Sequence, residues 1–345
     1  MNILSHRTAV VAREVRPPPI GLGATERTVP LRIAVVNNMS DAALRTTERQ
    51  ICALLQSASA GMLVDLRFYT LPGAIRGDAA RVHIDAFYDS LESLEQTAPD
   101  GLIVTGAEPK KHRFEDEWFW PAMAHLIDWV DEYRIPAIWS CLAAHAAVYH
   151  RDGIKRIPLD AKLSGIFECS IDTVRHQLLH RLPRKWRVPH SRRNGLSRKQ
   201  LERCGYNILS WSREVSVDMF VKHDRGLQLY LQGHPEYNAE TLISEYRRDI
   251  LRQYKTGMPV TIPPPVGIWS KSFRLGLRGL FRSPNSDCPA DNVAMQLDAE
   301  RVGLHAENCW SLTAQLLCSN WLAYLDATRH VISERPSCIA HVRNV

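Results

Sequence analysis

Two hydrophobic periods alternate along the chain. Short runs rich in β-branched residues are separated by longer stretches whose apolar positions return every third or fourth residue. The first run, "LRIAVVNN" (31–38), has the length and composition of a buried strand closed by Asn. Asp41 then caps a helix predicted to run to about Ser57, with Leu44, Ile51, Leu54 and Leu55 on one face. "MLVDLRFY" (62–69) and "DGLIVTG" (100–106) read as the second and third strands. "FEDEWFWPAMAHLIDWVDEY" (114–133) carries an apolar stripe at helical spacing, and Pro121 fits only near its first turn. "IPAIWS" (135–140) is a fourth strand, and "LAAHAAVYH" continues as a helix.

Strands that alternate with helices and are apolar on both faces predict a mostly parallel sheet with helices on both faces, an α/β fold. Ligand sites in such sheets gather at the carboxyl ends of the strands, which aligns Asn37, Gly106 and Cys141 along one edge. The second half reads as shorter strands, "GIFECSI" (165–171), "YNILSWS" (206–212), "VDMFVKH" (217–223) and "LQLYLQGH" (227–234), then a helix from about Asn238 to Tyr254. The layout divides into an irregular N-terminal arm over 1–30, a main domain over 31–257, a Pro-rich connector and insertion over 258–306, and a C-terminal helix over 307–332 packing on the domain. The stripe of Trp310, Leu317, Trp321 and Tyr324 packs either on that domain or across a homodimer.

Composition narrows the class. The 345 residues are 45% hydrophobic and 23% charged, an ordinary globular balance. There is no apolar run of about eighteen residues and no signal-peptide core, so the reading is a cytoplasmic protein with no membrane contact. The eight cysteines form no C-x-x-C pair, which leaves no metal-ligand spacing and no disulfide framework. The net charge is +6, and from Arg175 to Arg203 there are ten Lys/Arg against one acid, Glu202. That run is either a solvated basic face or a site for a polyanion. No nucleic-acid-binding pattern accompanies it, so nucleic acid is not a partner in this reading.

Candidate chemistry centres on two short segments. In "IWSCLAAHAA" (138–147), Cys141 stands where a strand turns into a helix. It is either a buried filler or a nucleophile whose thiolate is favoured by the helix N-terminus, with the N–H of Leu142 offered to an oxyanion. In "QGHPEY" (232–237), His234 follows an apolar strand and Glu236 lies across a proline turn. This is either an incidental turn or the base and orienting carboxylate of a triad.

The order Cys, His, Glu is that of class I glutamine amidotransferases, with a three-layer, flavodoxin-like fold. More narrowly, the chain resembles the amidotransferase-like homoserine O-acyltransferases. The resemblance rests on "RIAVVNNMS", "FYDSLESLEQTAPDGLIVTGAEPKKHRFEDEWFW", "CLAAHAAVYHRDGIKRIPLDAKLSGIFE", "PHSR", "GHPEYNAETLISEYRRD" and the late "LLCSNWLAYL". It covers roughly 31–257 and resumes near 309–325. It implies an amidotransferase-like acyltransferase domain and transfer of an acyl group from acyl-CoA, a co-substrate and not a resident cofactor, to L-homoserine in methionine biosynthesis. Cys141 would carry the acyl group as a thioester, His234 would be the base and Glu236 its orienter. Lys162, Ser191 and Arg248 would bind substrate.

Three departures from the family pattern stand out. "NNMSDAA" lacks the usual proline and nearby lysine, and "SCLAAHAA" lacks the common Cys-Trp. "TGAEPKK" puts Lys110 where the family sorts acyl donors, glycine going with succinyl and glutamate with acetyl. A lysine can pair with the free carboxylate of a succinyl group, which favours succinyl-CoA. Acetyl-CoA, L-serine as acceptor, and a glutamine amidotransferase or hydrolase are the alternatives.

Overall fold

A computed structural model of the chain describes residues 3–5, 8–9, 29–171, 176–254, 262–269 and 308–332. The N-terminal arm contributes two short strands, β1 (Ile3–Ser5) and β2 (Thr8–Ala9). The main domain then runs β3 (Leu31–Val36), α1 (Asp41–Ala58), β4 (Val64–Tyr69), α2 (Asp78–Phe87), β5 (Tyr88–Asp89), α3 (Leu91–Thr97), β6 (Gly101–Val104), α4 (Trp120–Glu132), β7 (Ala137–Ser140) and α5 (Leu142–Asp152). It continues β8 (Ile157–Ile171), β9 (Lys185–Gly195), α6 (Arg198–Arg203), β10 (Asn207–Ser212), β11 (Ser216–Lys222), β12 (Gln228–Leu231) and α7 (Ala239–Tyr254), and ends in a helix we call α8 (Ser311–Ile332).

Among the described residues, the twelve strands form one sheet in the order β2-β1-β4-β3-β6-β7-β12-β11-β10-β8-β9, with β5 beside β4. From β1 to β12 the pairings are parallel; from β12 to β9 they are antiparallel. The period-two alternation sorts the strand residues into two cores. Ala34, Val36, Leu102, Val104, Ala137, Trp139 and Tyr230 face α4 and α5. Ile33, Val35, Ile103, Ile138, Leu229 and Leu231 face α1 and α8. This is the predicted three-layer α/β fold, with the runs buried on both faces as parallel strands require.

Close packing sets two details. A Cβ on Gly101 would lie 2.5 Å from Leu325 and 2.9 Å from Trp321, so glycine at the start of β6 lets α8 sit on the sheet. α8 also packs along α1, which places the Trp310, Leu317, Trp321 and Tyr324 stripe on the domain itself. Most of the connector and insertion lies outside the described residues. The described part, 262–269, runs beside β8, with Val266 N–H donating to Ser164 O at 2.9 Å and Val266 O accepting from Ile166 N–H at 2.8 Å.

Several elements differ from the sequence expectation. The segment from Arg175 to Arg203 contains β9 and α6. Its alternation is real: Trp186, Val188, His190 and Arg192 are buried, while Lys185 and Arg187 are exposed. The inward His and Arg disguise the strand as a charged loop. β8 begins eight residues before the expected "GIFECSI", over a largely exposed stretch that pairs in part with β9. α4 starts at Trp120 with Pro121 in its first turn, as the sequence requires, and before it the buried Glu117 accepts from the Lys110 and Lys111 N–H groups.

Candidate active site

The nucleophile candidate owes its position to one pair of parallel strands. Ser140 ends β7 opposite Leu231, the last residue of β12, and Cys141 N–H donates to Leu231 O at 2.7 Å. The chain then turns abruptly. Cys141 has φ 53° and ψ −114°, and α5 begins at the next residue. A non-glycine residue at positive φ is strained by about 1–3 kcal/mol, and the flanking strand and helix impose it. The turn lifts the thiol to the N-terminus of α5, where unpaired N–H groups and the helix dipole favour an anion.

The imidazole arrives from β12. Its residue His234 is held by N–H donation to Pro189 O at 2.8 Å, which ties the end of β12 to β9. Nδ1–H donates to Glu236 Oε1 at 2.8 Å, and Tyr237 stacks on the ring at 4.1 Å between centroids. With Nδ1 committed, Nε2 is left for the hydrogen bond to Cys141. Burial alone would push the His234 pKa down, but Glu236 and the Cys141 sulfur outweigh it and hold it well above the ordinary value. The arrangement sets the His234 imidazole between the Glu236 carboxyl group and the Cys141 sulfur.

A cavity of about 500 Å³ opens over this triad. Its wall includes Gly106 and Leu142, and a Cβ on Gly106 would stand 2.8 Å from the Leu142 nitrogen. Glycine therefore leaves that N–H accessible to a substrate oxygen, as an oxyanion site requires. Lys162 from β8, Ser191 from β9 and Arg248 from α7 also line the cavity, so the structure brings together every substrate-binding candidate. Lys162 Nζ donates to Asp249 Oδ2 at 2.6 Å, and Arg248 Nη2 donates to Asp249 Oδ1 at 3.0 Å. Burial would raise the Asp249 pKa; the two cations hold it below the ordinary carboxylate value.

Two expectations are corrected. Lys110 is exposed and does not line the cavity: its backbone N–H donates to Glu117 Oε1 at 2.8 Å, which fixes the loop with Glu108 and Pro109 inward. Glu108 pairs with Arg252 of α7 across the cavity mouth, and this pairing lowers its pKa. Asn37 ends its strand on the expected edge but turns into the protein, donating to Tyr88 OH at 2.9 Å and to Leu44 O at 3.2 Å. Met39 and Ser40 reach the cavity in its place.

His145, one turn past the nucleophile, is buried and bonds Gln232 Oε1 at 3.0 Å. Desolvation drives its pKa to about 3, so it is neutral and lends the thiol no positive charge. Sequence reasoning missed Glu245, Asp249, Tyr237 and Arg192 in the wall. Arg192, inside the basic run, is buried and donates to Asn194 O at 2.6 Å. Only its even spacing from Trp186, Val188 and His190 could have signalled an inward residue. Among the described residues, Cys169, His190 and Asp218 are the group with metal-ligand chemistry; they lie behind the triad, and Asp218 is bonded to Trp186 Nε1 at 3.1 Å.

Comparison with known proteins adds an independent line. The family model of homoserine O-succinyltransferase matches residues 12–330. A homoserine O-succinyltransferase of Methylorubrum extorquens is 40% identical over 299 residues, which is 85% of this chain and 86% of that one. One of Bradyrhizobium japonicum is 37% identical over 326 residues, 91% of this chain and 97% of its own. Among solved structures, a glutamine amidotransferase from Thermotoga maritima superposes with a TM-score of 0.46 at 11% identity, covering 86% of this chain and 97% of that chain.

Proposed function

The chain belongs to the homoserine O-succinyltransferase family, and from that premise we propose how its own residues perform the transfer. The protein is an acyltransferase that moves a succinyl group to the hydroxyl of L-homoserine, a step of methionine biosynthesis. The donor is succinyl-CoA, a co-substrate that enters and leaves. The observation that carries the residue roles is the juxtaposition of Cys141, at its strained turn, with the buried His234–Glu236 pair in one cavity.

The reaction divides at a covalent intermediate. The Cys141 thiolate attacks the thioester carbonyl, and the Leu142 N–H, left open by Gly106, receives the oxyanion. The carbon–sulfur bond to CoA breaks, and the departing thiolate takes the proton from the His234 imidazolium. CoA leaves a succinyl thioester on Cys141 and a neutral His234 whose Nε2 is now a base. The homoserine hydroxyl gives its proton to Nε2 and attacks the thioester. The new carbon–oxygen bond forms, the bond to Sγ breaks, and the thiolate–imidazolium pair is restored. Glu236 holds one tautomer through both halves. Arg248 supplies a guanidinium for the carboxylate of homoserine, with Ser191 and Lys162 beside it. The donor's distal carboxylate enters a wall rich in cations, including Arg192 and Arg193.

Intact-protein mass spectrometry tests this directly. Succinyl-CoA without acceptor is expected to add one succinyl mass to the wild-type chain and none to Cys141→Ala, and homoserine is expected to discharge it. A wild-type chain that stays unlabelled, or a label retained in Cys141→Ala, overturns the assignment. Labelling by acetyl-CoA alone, or discharge by L-serine in preference to homoserine, overturns the choice of donor or acceptor.

A further inference from the structure

Both backbone groups of one cavity residue are held by buried side chains. Met39 stands in the cavity wall, in the turn between β3 and α1. Its N–H donates to Asn37 Oδ1 at 3.2 Å, and its carbonyl accepts from Arg76 Nη1 at 2.6 Å. Each holder is itself anchored. Asn37 Nδ2 donates to Tyr88 OH at 2.9 Å, and Tyr88 OH donates to Glu48 Oε1 at 2.6 Å. The same carboxylate oxygen bonds His83 Nε2 at 2.7 Å. Arg76 is buried, and its Nη1 also reaches Asp41 Oδ1 at 3.0 Å, while Asp41 Oδ2 accepts from Gly77 N–H at 2.8 Å. Arg76, Gly77, His83 and Tyr88 belong to the segment that enters, forms and leaves α2. That helix buries little more than Ala80, so apolar packing does little to place it. Polar bonds tie it down instead, and they converge on the turn that carries Met39.

Resting on the reaction proposed above, we propose that Arg76 is a positioning residue for it, a brace that holds the Met39 wall of the cavity in place from outside. A guanidinium suits the task, because its planar fork can hold a carbonyl and a carboxylate at once. Its partner Asp41 is the first residue of α1, so the brace links the β4–α2 loop to the β3–α1 turn. Ser40 stands at the N-cap of α1 without a side-chain cap bond, so no cap fixes the entry of the chain into that helix. A methionine side chain is flexible, and what it presents to a substrate depends on where its backbone is held. The brace does not touch the triad, which arrives from β7 and β12. Its loss therefore acts on substrate placement and leaves the thiol and imidazole where they are. The same turn can be stiffened by a second means. Ser40 has φ −61° and ψ 160°, which proline adopts without strain, and among the described residues its N–H donates no hydrogen bond.

The test uses Arg76→Leu, which keeps an apolar stem and removes the fork. Turnover of succinyl-CoA and homoserine is expected to fall in kcat/KM by about ten- to a hundredfold, the scale of a small misplacement at a reacting site. Alkylation of Cys141 by iodoacetamide is expected to keep its wild-type rate. In a Ser40→Pro background the same substitution is expected to cost no more than about threefold, because proline already holds the turn. The methyl NMR signal of Met39, assigned through Met39→Leu, is expected to shift in Arg76→Leu and to move less in the proline background. Asp41→Asn cuts the other end of the brace more gently and is expected to show the same pattern at smaller size, which decides the matter if Arg76→Leu does not fold. Wild-type kcat/KM, an equal loss in both backgrounds, alkylation that falls in parallel with activity, or an unmoved Met39 signal each overturn the assignment. A wild-type chain whose Cys141 is not acylated strikes the reaction, whereas the Met39 signal reads the brace with no turnover.

Discussion

Each side chain of the triad is set by one neighbour whose removal has a predictable sign. Glu236 is the charge that lifts the His234 pKa against burial. Glu236→Gln keeps the shape and removes that charge, so the His234 pKa falls. In the proposed reaction the imidazolium protonates the departing CoA thiolate, so the alkaline limb of kcat/KM follows its loss. That limb is expected to move to lower pH, and kcat to fall by about 10²–10⁴-fold, the worth of positioned acid–base catalysis. A pH profile checks both; an alkaline limb that stays in place sinks this account of Glu236. The meeting of these three side chains was legible in the sequence because "QGHPEY" holds imidazole and carboxylate within one turn and Cys141 sits at a strand end. Glu245 and Asp249 were not. "SEYRRD" on α7 has the look of a solvated helix face, and only the packing of α7 over the cavity turns two of its acids inward. Lys110 failed for the converse reason. Glu117 fixes the direction of that loop from seven residues away, and spacing alone cannot show it.

At the scale of elements, the site is the meeting of the β6 and β7 exits. Gly106 follows β6, Leu142 opens α5, and no side chain fits between them. Gly106→Ala would press a methyl to 2.8 Å from the Leu142 nitrogen and 2.9 Å from its Cβ, closing the oxyanion position. Loss of one such donor lowers kcat by about 10²–10³-fold. Succinyl-CoA turnover by Gly106→Ala is expected to fall in that range while the cavity still binds homoserine; a variant with wild-type kcat removes Leu142 from the oxyanion role. The parallel strands were legible because each is a short apolar run buried on both faces. The antiparallel strand β9 was hidden because its inward positions include His190 and Arg192, which break the apolar alternation. α2 and α3 were missed because each is short and buries little of itself: Ala80 and Leu94 are their buried residues.

Across the whole molecule, chemistry and stability occupy opposite ends of the same strands. β7 and β12 deliver Cys141 and His234 at their carboxyl ends. At the amino end of β12, Gln228 Oε1 accepts from Trp139 Nε1 at 2.8 Å, and Gln228 Nε2 donates to Ile135 O, just before β7, at 2.9 Å. Arg151, at the end of α5, lies 5.0 Å over the Trp139 ring and donates through Nε to Asp131 of α4 at 3.0 Å. Arg225 Nη1 adds a bond to the same carboxylate at 2.9 Å. Asp131 and Arg151 are only 3% and 6% exposed, so each charge depends on the other. Breaking such a pair strands a buried charge and destabilises by about 3–5 kcal/mol, whereas replacing both partners restores part of the loss. Asp131→Ala is therefore expected to lower the denaturant midpoint strongly. Asp131→Ala with Arg151→Met should recover part of it, and kcat/KM per folded molecule should stay at the wild-type value in both. An unchanged midpoint contradicts the role of the pair. A stable variant with lost activity would mean that the two ends of the sheet are coupled, and that the strain at Cys141 is held by the whole β7–β12 ladder and not by its last rung.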